Sequence, residues 1–189
     1  MPAESPRQIG RFLAGWILKH SVFKSLAFDF AKRHDSARKP HCHNLTSKED
    51  TMIEQNKILV REITEQIWNG GAFDKIPDFY SVDYVADYRP YAQPRRGHEG
   101  IRGMVERAHA AFPDYHEEIR EIIAEGDVVV VRLTITGTQS GQWGALAPTG
   151  KRVSFEEVAI LEIRDGKVVS QRGVADNLTA LRQLGVGGR

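Results

Sequence analysis

One residue suited to proton chemistry lies on a predicted β-strand, where side-chain alternation decides which residues point inward. Over residues 153–163 every second side chain shares one face, and that face is apolar except for Glu157. A carboxyl group enclosed by apolar neighbours should have a raised pKa and should suit proton transfer. The pattern therefore makes Glu157 a candidate for a catalytic, acid/base role in a pocket, with a place on a solvated face as the alternative.

Arg132 is a second candidate for a catalytic role. On the strand predicted over residues 128–138 it shares a face with valines and threonines. An arginine in this setting is either paired inside the protein or placed on a solvated face. Inside, it would orient a carboxylate or bind an enolate oxygen. Outside, it would be a surface or dimer-interface charge, and the sequence leaves both options open.

Four aromatic residues and one histidine are candidates for substrate binding. The aromatic side chains would form a wall of the pocket, with core packing as the alternative. The histidine precedes a predicted helix, so it would lie at the pocket rim, cap that helix or stay on the surface. The five residues are Tyr88, Phe112, Trp143, Phe155 and His98.

The elements that would position these residues follow a regular order. Three helices and one strand precede four strands in a meander, and a short helix closes the chain. The helices are predicted at residues 51–68, 72–80, 97–112 and 178–184, and the strands at 81–90, 115–124, 128–138, 153–163 and 167–174. Helices at one end and an antiparallel meander at the other predict an α+β fold. A strongly bent sheet wrapped around helices would form a cone with an open mouth, a preferred ligand site.

Composition narrows the function classes. The 189 residues, 41% hydrophobic and 27% charged, suit one soluble domain with an appendage. A net charge of +1 argues against nucleic acid as a partner. The single cysteine, Cys42, allows no disulfide within one chain and favours a cytoplasmic location. His41 and His43 flank it without the spacing or fourth ligand of a typical zinc site, so no metal site is predicted.

Residues 1–50 differ from the rest because they are basic and carry three of the prolines. Apolar residues at helical spacing over residues 9–33 predict an amphipathic helix, followed by a flexible linker. The apolar run at 12–18 is too short to span a membrane. A targeting segment, a membrane-surface helix and a helix docked on the body all remain open, as does a true start at Met52.

Short motifs recur through residues 51–186 in a specific order. They are Ile67-Trp68-Asn69-Gly70-Gly71 and the stretches 96–101, 111–114, 125–132, 137–138, 148–151 and 165–168, followed by Asp176 and then Leu184-Gly185. Together they resemble the SnoaL-like polyketide cyclase (ester cyclase) family of the nuclear-transport-factor-2-like superfamily. The resemblance implies an NTF2-like cone-shaped barrel over residues 51–186, whereas residues 1–50 have no counterpart in the usual family pattern.

The resemblance also implies a reaction, an intramolecular aldol ring closure on a polyketide ester without a cofactor. An aspartate on the last strand serves as acid/base in this family, and Asp176 occupies that position. One carboxyl group can remove an acidic C–H proton and then protonate the new alkoxide. Asp176 is thus the first catalytic candidate, expected to meet Arg132 or Glu157 in the pocket. The alternative is that it caps the closing helix.

Two positions depart from the family pattern. Gln139 stands where a histidine often follows Gly-Thr, and Arg172 stands where a tryptophan often precedes the last aspartate by four residues. Arg172 shares a strand face with Asp176, so it is a candidate substrate contact that would lower the pKa of Asp176. Both departures favour the alternative of a non-catalytic binding module. An epoxide hydrolase, with an arginine and carboxylates in a similar cone, is a further alternative.

The partners expected from this reading are a small, mostly apolar carbonyl compound and a second copy of the chain. Val158 and Ile160 are apolar residues on the presumed outer face of the sheet, which favours a homodimer. Contact with a membrane would involve residues 9–33.

Overall fold

The computed structural model describes residues 47–90 and 92–186, with side chains from residue 48 onward. The expectations for residues 1–46, which include the amphipathic helix over 9–33 and the histidines beside Cys42, lie outside the described residues. Met52, the alternative start, lies within the first described helix. In the described part of the chain, no helix combines the length and the apolar character needed to cross a bilayer.

The helices agree in order with the sequence prediction. They are α1 (Ser47–Ile63), which runs into a π-helical turn at Thr64–Asn69, a 3-10 turn at Phe73–Lys75 leading into α2 (Ile76–Phe79), α3 (Gly97–Ala111) and α4 (Asn177–Leu184). Val60, Ile63 and Ile67 recur at helical spacing and are buried, which explains the apolar stripe in α1 and the π-helical turn. The helix predicted over 72–80 is shorter because Tyr80 already has extended backbone geometry and opens the first strand.

Six strands form one sheet. They are β1 (Tyr80–Asp87), β2 (Arg95–Arg96), β3 (His116–Glu125), β4 (Val128–Thr138), β5 (Arg152–Arg164) and β6 (Lys167–Ala175), arranged in the order β2-β1-β6-β5-β4-β3. The last four strands form the predicted antiparallel meander, while β1 pairs with β6 in parallel. The sheet is open, with β2 and β3 as its edges within the described residues. The α+β prediction is confirmed.

The inner face of the sheet carries the core. On β4 the buried residues alternate with outward ones, and Val129, Val131, Leu133 and Ile135 are all at most 5% exposed. They contribute to two clusters of buried side chains, one against α1 and α3 and one against α4. The register of β3 shifts between Ile119 and Glu121, as at a β-bulge. This shift decides which acidic residues of β3 face inward.

Candidate active site

A cavity of about 670 Å³ opens among β1, α3, β4, β5, β6 and α4. This size suits a small organic molecule. Four of the residues expected to bind substrate border it, namely Tyr88, Phe112, Trp143 and Phe155. The rings of three of these residues form a continuous wall, since the Phe112 and Trp143 centroids lie 5.5 Å apart and those of Trp143 and Phe155 lie 6.5 Å apart. Their predicted position on the pocket wall is confirmed, and substrate contact stays a prediction.

Glu157 projects from the inner face of β5 into this cavity. Its carboxylate accepts a hydrogen bond of 2.8 Å from the Tyr88 hydroxyl. Burial raises the pKa of Glu157, and the hydrogen bond from Tyr88 partly opposes that rise. The predicted inward carboxyl with a raised pKa is therefore found.

A chain of hydrogen bonds orients Tyr88 toward Glu157. The fully buried Tyr84 hydroxyl donates to Oε1 of Gln171 at 3.0 Å, and Nε2 of Gln171 donates to the Tyr88 oxygen at 2.6 Å. Each bond in this chain points its donor toward the carboxylate, so the dipoles add at Glu157. Gln171 lies on the inward face of β6. Sequence reasoning missed it, because the face that carries Arg172 was expected to meet the ligand.

Gly173 makes room for the Tyr88 ring. A Cβ atom at this position would lie 3.1 Å from Cε1 of Tyr88 and 2.6 Å from the carbonyl oxygen of Val158. The second distance is shorter than a real Cβ atom tolerates. A side chain here would therefore displace β5 or move Tyr88 away from Glu157.

A second buried carboxyl group, Glu117 on β3, was missed by the sequence reasoning. It accepts a 2.6 Å hydrogen bond from the hydroxyl of Tyr115, which borders the cavity. Asn69 accepts from the backbone N–H of Glu117 at 2.8 Å and donates to its carbonyl at 3.1 Å. Alternation of Tyr115, Glu117 and Ile119 before the bulge was the signal that would have placed it inward.

The surroundings of Glu117 favour the protonated, neutral form of its carboxyl group. Burial, followed by the negative charge of Glu157, raises the pKa of Glu117 from its ordinary 4.5 to about 8, and the bond from Tyr115 opposes this. Burial and both carboxylates raise the pKa of Tyr115 well above its ordinary range. At neutral pH the pair of Tyr115 and Glu117 beside the cavity therefore holds a neutral phenol and a protonated carboxyl group.

Asp176 lies at the cavity rim rather than in it. Its neighbours Ala175 and Asn177 border the cavity, but its own side chain is exposed and caps α4. The carboxylate accepts from the backbone N–H of Thr179 at 2.9 Å and from the Thr179 hydroxyl at 2.6 Å, which lowers the pKa of Asp176. The helix-cap alternative is confirmed, and the expected meeting of Asp176 with Arg132 or Glu157 is wrong.

Arg132 faces the outer side of the sheet. It pairs with Glu156 at 2.6 Å and with Glu121 at 3.2 Å. The inward residues of β4 are the odd-numbered ones, so its position follows from the strand register. The surface option is confirmed, and the inward arginine expected for the catalytic and epoxide-hydrolase readings is not found at this position.

Arg172 and His98 also lie away from the cavity lining. Arg172 is exposed opposite Ile160, on the outward face of β6, and its charge helps to lower the pKa of Glu162. Its expected effect on the pKa of Asp176 is wrong, and its side chain faces away from the cavity because only the odd-numbered residues near the end of β6 face inward. His98 lies in the first turn of α3, with Nε2 2.9 Å from the carbonyl oxygen of Tyr80, so the expected rim position is wrong.

Gln139 has a structural explanation. Its side chain is fully buried and donates to the carbonyl oxygens of Gly141 and Ala147. Its Oε1 accepts from the backbone N–H and hydroxyl of Thr149 at 2.9 and 2.6 Å. These four bonds fix the loop between β4 and β5 that carries Trp143. The departure from the family pattern therefore falls at a loop-organising position outside the cavity lining.

The alternatives to the aromatic cavity as the site are a second groove and a metal centre. A groove of about 680 Å³ lies beside α1, but its titratable side chains (Glu62, Asp127, Arg164 and Asp165) are all exposed. The aromatic cavity is instead bordered by Glu157, whose pKa is raised by burial, which is the setting that proton transfer requires. Among residues 47–90 and 92–186 no cluster of three or more histidine, cysteine or acidic side chains could hold a metal ion.

Comparison with known proteins gives a consistent set of similarities. The profile of the SnoaL-like polyketide cyclase family matches residues 58–184, within the stretch that the motifs indicated. The chain is similar to the aklanonic acid methyl ester cyclase DnrD of Streptomyces peucetius. The two are 31% identical over 129 residues, which cover 67% of this chain and 88% of DnrD.

Two solved structures share this fold. IdmH from Streptomyces antibioticus, a candidate polyketide cyclase, is 28% identical with a TM-score of 0.63, and the match covers 70% of this chain and 99% of IdmH. AclR from Streptomyces galilaeus, a candidate hydroxylase, is 31% identical with a TM-score of 0.64, and the match covers 72% of this chain and 89% of AclR. One fold thus carries more than one named chemistry, so the residues of the cavity must decide the reaction.

Proposed function

The chain belongs to the SnoaL-like polyketide cyclase family, and from this premise we propose that it closes a ring in a small carbonyl compound by an intramolecular aldol reaction, with Glu157 as the base. One observation carries the proposal. Glu157 is the single carboxylate among the described residues that border the cavity, and a tyrosine hydroxyl holds it in place. A catalytic base must be held in a fixed position and must have a pKa that allows it to exchange a proton.

The first step is removal of an acidic C–H proton. The Glu157 carboxylate takes the proton from a carbon next to a carbonyl group, and the electron pair moves onto that carbonyl as an enolate. The bond from Tyr88 keeps Glu157 ionisable within its apolar surroundings, because it offsets part of the cost of burial. The enolate carbon then attacks a second carbonyl in the same molecule, forming the ring bond and an alkoxide.

The aromatic wall suits a flat, conjugated substrate. Phe112, Trp143 and Phe155 would stack on its rings and hold the two reacting carbons close together. Fixing the substrate in one conformation in this way lowers the entropic cost of ring closure. The curated relative is named for aklanonic acid methyl ester, and we propose an aromatic polyketide ester of that class as substrate. No added cofactor is required in this scheme, since Glu157 itself accepts the proton.

Turnover of aklanonic acid methyl ester by the full chain tests this proposal. Aldol closure is an isomerisation, so the product should have the mass of the substrate with a new ring in its NMR spectrum. Prior dialysis against EDTA should leave the rate unchanged. Binding of the ester without conversion would instead favour a non-catalytic binding module.

We also propose that the chain forms a homodimer through the outer face of the sheet. Val158 and Val174 lie opposite each other in register and are 39% and 60% exposed, which is unusual for neighbouring valines. Sedimentation equilibrium should give twice the mass of the chain, and Val158→Asp should reduce it to that of a monomer. A monomeric wild-type protein would contradict this expectation.

A further inference from the structure

We infer that Tyr115 and Glu117 form a proton relay that protonates the alkoxide at the end of ring closure, with Tyr115 as the catalytic donor and Glu117 as the positioning residue behind it. The inference rests on the proposed function, because it supplies the acid that this reaction needs. It assigns a second role in the cavity, separate from that of Glu157.

The geometry places the two groups in series. The Tyr115 ring borders the cavity, and Glu117 lies behind it, 5% exposed, with its carboxyl oxygen 2.6 Å from the Tyr115 hydroxyl. Tyr115 is therefore the member of the pair that a substrate in the cavity can contact, because Glu117 is not part of the cavity lining. The pair of hydrogen bonds from Asn69 fixes the backbone of Glu117 at this depth.

Packing around Tyr115 fixes its ring as well. The ring centroid lies 6.3 Å from that of Trp68 and 5.7 Å from that of His109. His109 itself is held by a 2.7 Å contact between its Nε2 and the carbonyl oxygen of Trp68. These contacts on two sides restrict the ring, so its hydroxyl stays within reach of Glu117.

The charge states favour a relay over a lone tyrosine. The pKa of Tyr115 is raised far above neutrality, so this residue cannot remain as a phenolate. It can give up its proton only while it receives another, and Glu117, with a pKa of about 8, holds one at neutral pH. The titratable groups that act on this pair are Glu157 on β5, Tyr80 on β1 and Tyr88 just after β1, with His109 of α3 against the ring.

The step balances in atoms and charge. Attack of the enolate carbon forms the new C–C bond, and the electron pair of the second carbonyl moves to its oxygen. That oxygen takes the proton of Tyr115 as the O–H bond of Glu117 breaks and its proton passes to the Tyr115 oxygen. Glu157 ends neutral and Glu117 ends ionised, so the cavity carries one negative charge before and after. Water entering after product release returns the proton from Glu157 through Tyr115 to Glu117.

The relay is tested by separating proton removal from ring closure. With aklanonic acid methyl ester in D₂O, deuterium uptake at the acidic carbon reports removal, and the cyclised isomer reports closure. In Tyr115→Phe and Glu117→Gln the ratio of closure to exchange should fall about 100-fold, the usual contribution of a general acid. Glutamine has the shape of a neutral carboxyl group and no proton to relay. Glu118→Gln is the matched control, because Glu118 is the exposed neighbour on β3.

The outcomes distinguish the two proposals. A closure-to-exchange ratio near wild type in both variants would overturn the relay while leaving Glu157 as the base. If the wild-type protein neither exchanges nor cyclises the ester, the proposed function fails for this probe, and carboxyl titration by ¹³C NMR then decides the relay. Tyr115→Phe should raise the pKa of Glu117 and Glu157→Gln should lower it. A titration of Glu117 that neither variant moves would overturn the relay without any substrate.

Discussion

The inner wall of β5 and the junction between β6 and α4 each present a carboxylate near the same cavity, and the two have opposite properties. Glu157 is inside, with a tyrosine donor and a pKa raised by burial. Asp176 is exposed, with two donors from Thr179 that lower its pKa. Glu157 can take up and release a proton in an apolar setting, whereas Asp176 stays ionised between the end of β6 and the start of α4. The environment, rather than the residue type or its place in a motif, gives each its role.

Replacing the inner carboxylate should have the largest effect. We expect Glu157→Gln to lower the rate of cyclisation about 1,000-fold, because it removes the base. Glu156→Gln is the matched control one residue away, since Glu156 points outward and pairs with Arg132 at the surface. Steady-state turnover of aklanonic acid methyl ester compares them. Equal rates in the two variants would show that the inward carboxylate of β5 matters no more for catalysis than the outward one.

Removing the donor to Glu157 should have a smaller effect that depends on pH. The hydrogen bond from Tyr88 lowers the pKa of Glu157, so Tyr88→Phe should raise that pKa and leave less of the active carboxylate at neutral pH. We expect a roughly tenfold lower rate at pH 7 that recovers as the pH rises. The pH–rate profile shows this as an acidic limb displaced to higher pH. A profile that only drops in height would mean that Tyr88 does not tune the base.

The second inner carboxyl group should make stability depend on pH. The folded protein keeps Glu117 protonated up to a pH of about 8, whereas the unfolded chain releases that proton near 4.5. Since the folded state binds more protons between these values, stability should fall as the pH rises from 5 to 8. Urea unfolding of wild type and Glu117→Gln measures this, and the variant should show a flatter dependence. The same slope in both would mean that Glu117 is ionised in the folded state.

The rim carboxylate should contribute to stability through its cap. We expect Asp176→Ala to lower the melting temperature by roughly 2–4 °C, and Asp176→Asn to lower it less, because asparagine caps helices about as well as aspartate. Thermal unfolding followed by circular dichroism separates the two variants. Unchanged melting of the alanine variant would contradict the capping geometry.

Much of the fold was predictable because the chain has strong local signals. The strand bounds at 128–138 coincide with β4, and the Asp165-Gly166 hairpin joins β5 to β6 as expected. The parallel pairing of β1 with β6 was not predicted, because it depends on contacts between distant segments rather than on periodicity.

The site was predictable only in part. Alternation placed Glu157 on the inner face of β5, but it could not say which side of β4 and β6 faces the cavity. Arg132 was therefore left without a fixed side, and Arg172 was expected on the cavity side, where the structure does not place it. Glu117 was missed although Tyr115, Glu117 and Ile119 alternate before the bulge, since the register shift after Ile119 breaks the period-2 pattern over the strand as a whole. The motif position of Asp176 favoured catalysis, whereas the local bonds to Thr179 hold its side chain at the helix start.

Deuterium exchange at the acidic carbon of aklanonic acid methyl ester tests the central claim most directly, with wild type, Glu157→Gln and Asp176→Asn compared in one experiment. We predict rapid exchange in wild type and in Asp176→Asn, and loss of exchange in Glu157→Gln. Exchange that persists in Glu157→Gln but disappears in Asp176→Asn would contradict the account and assign the base to the rim.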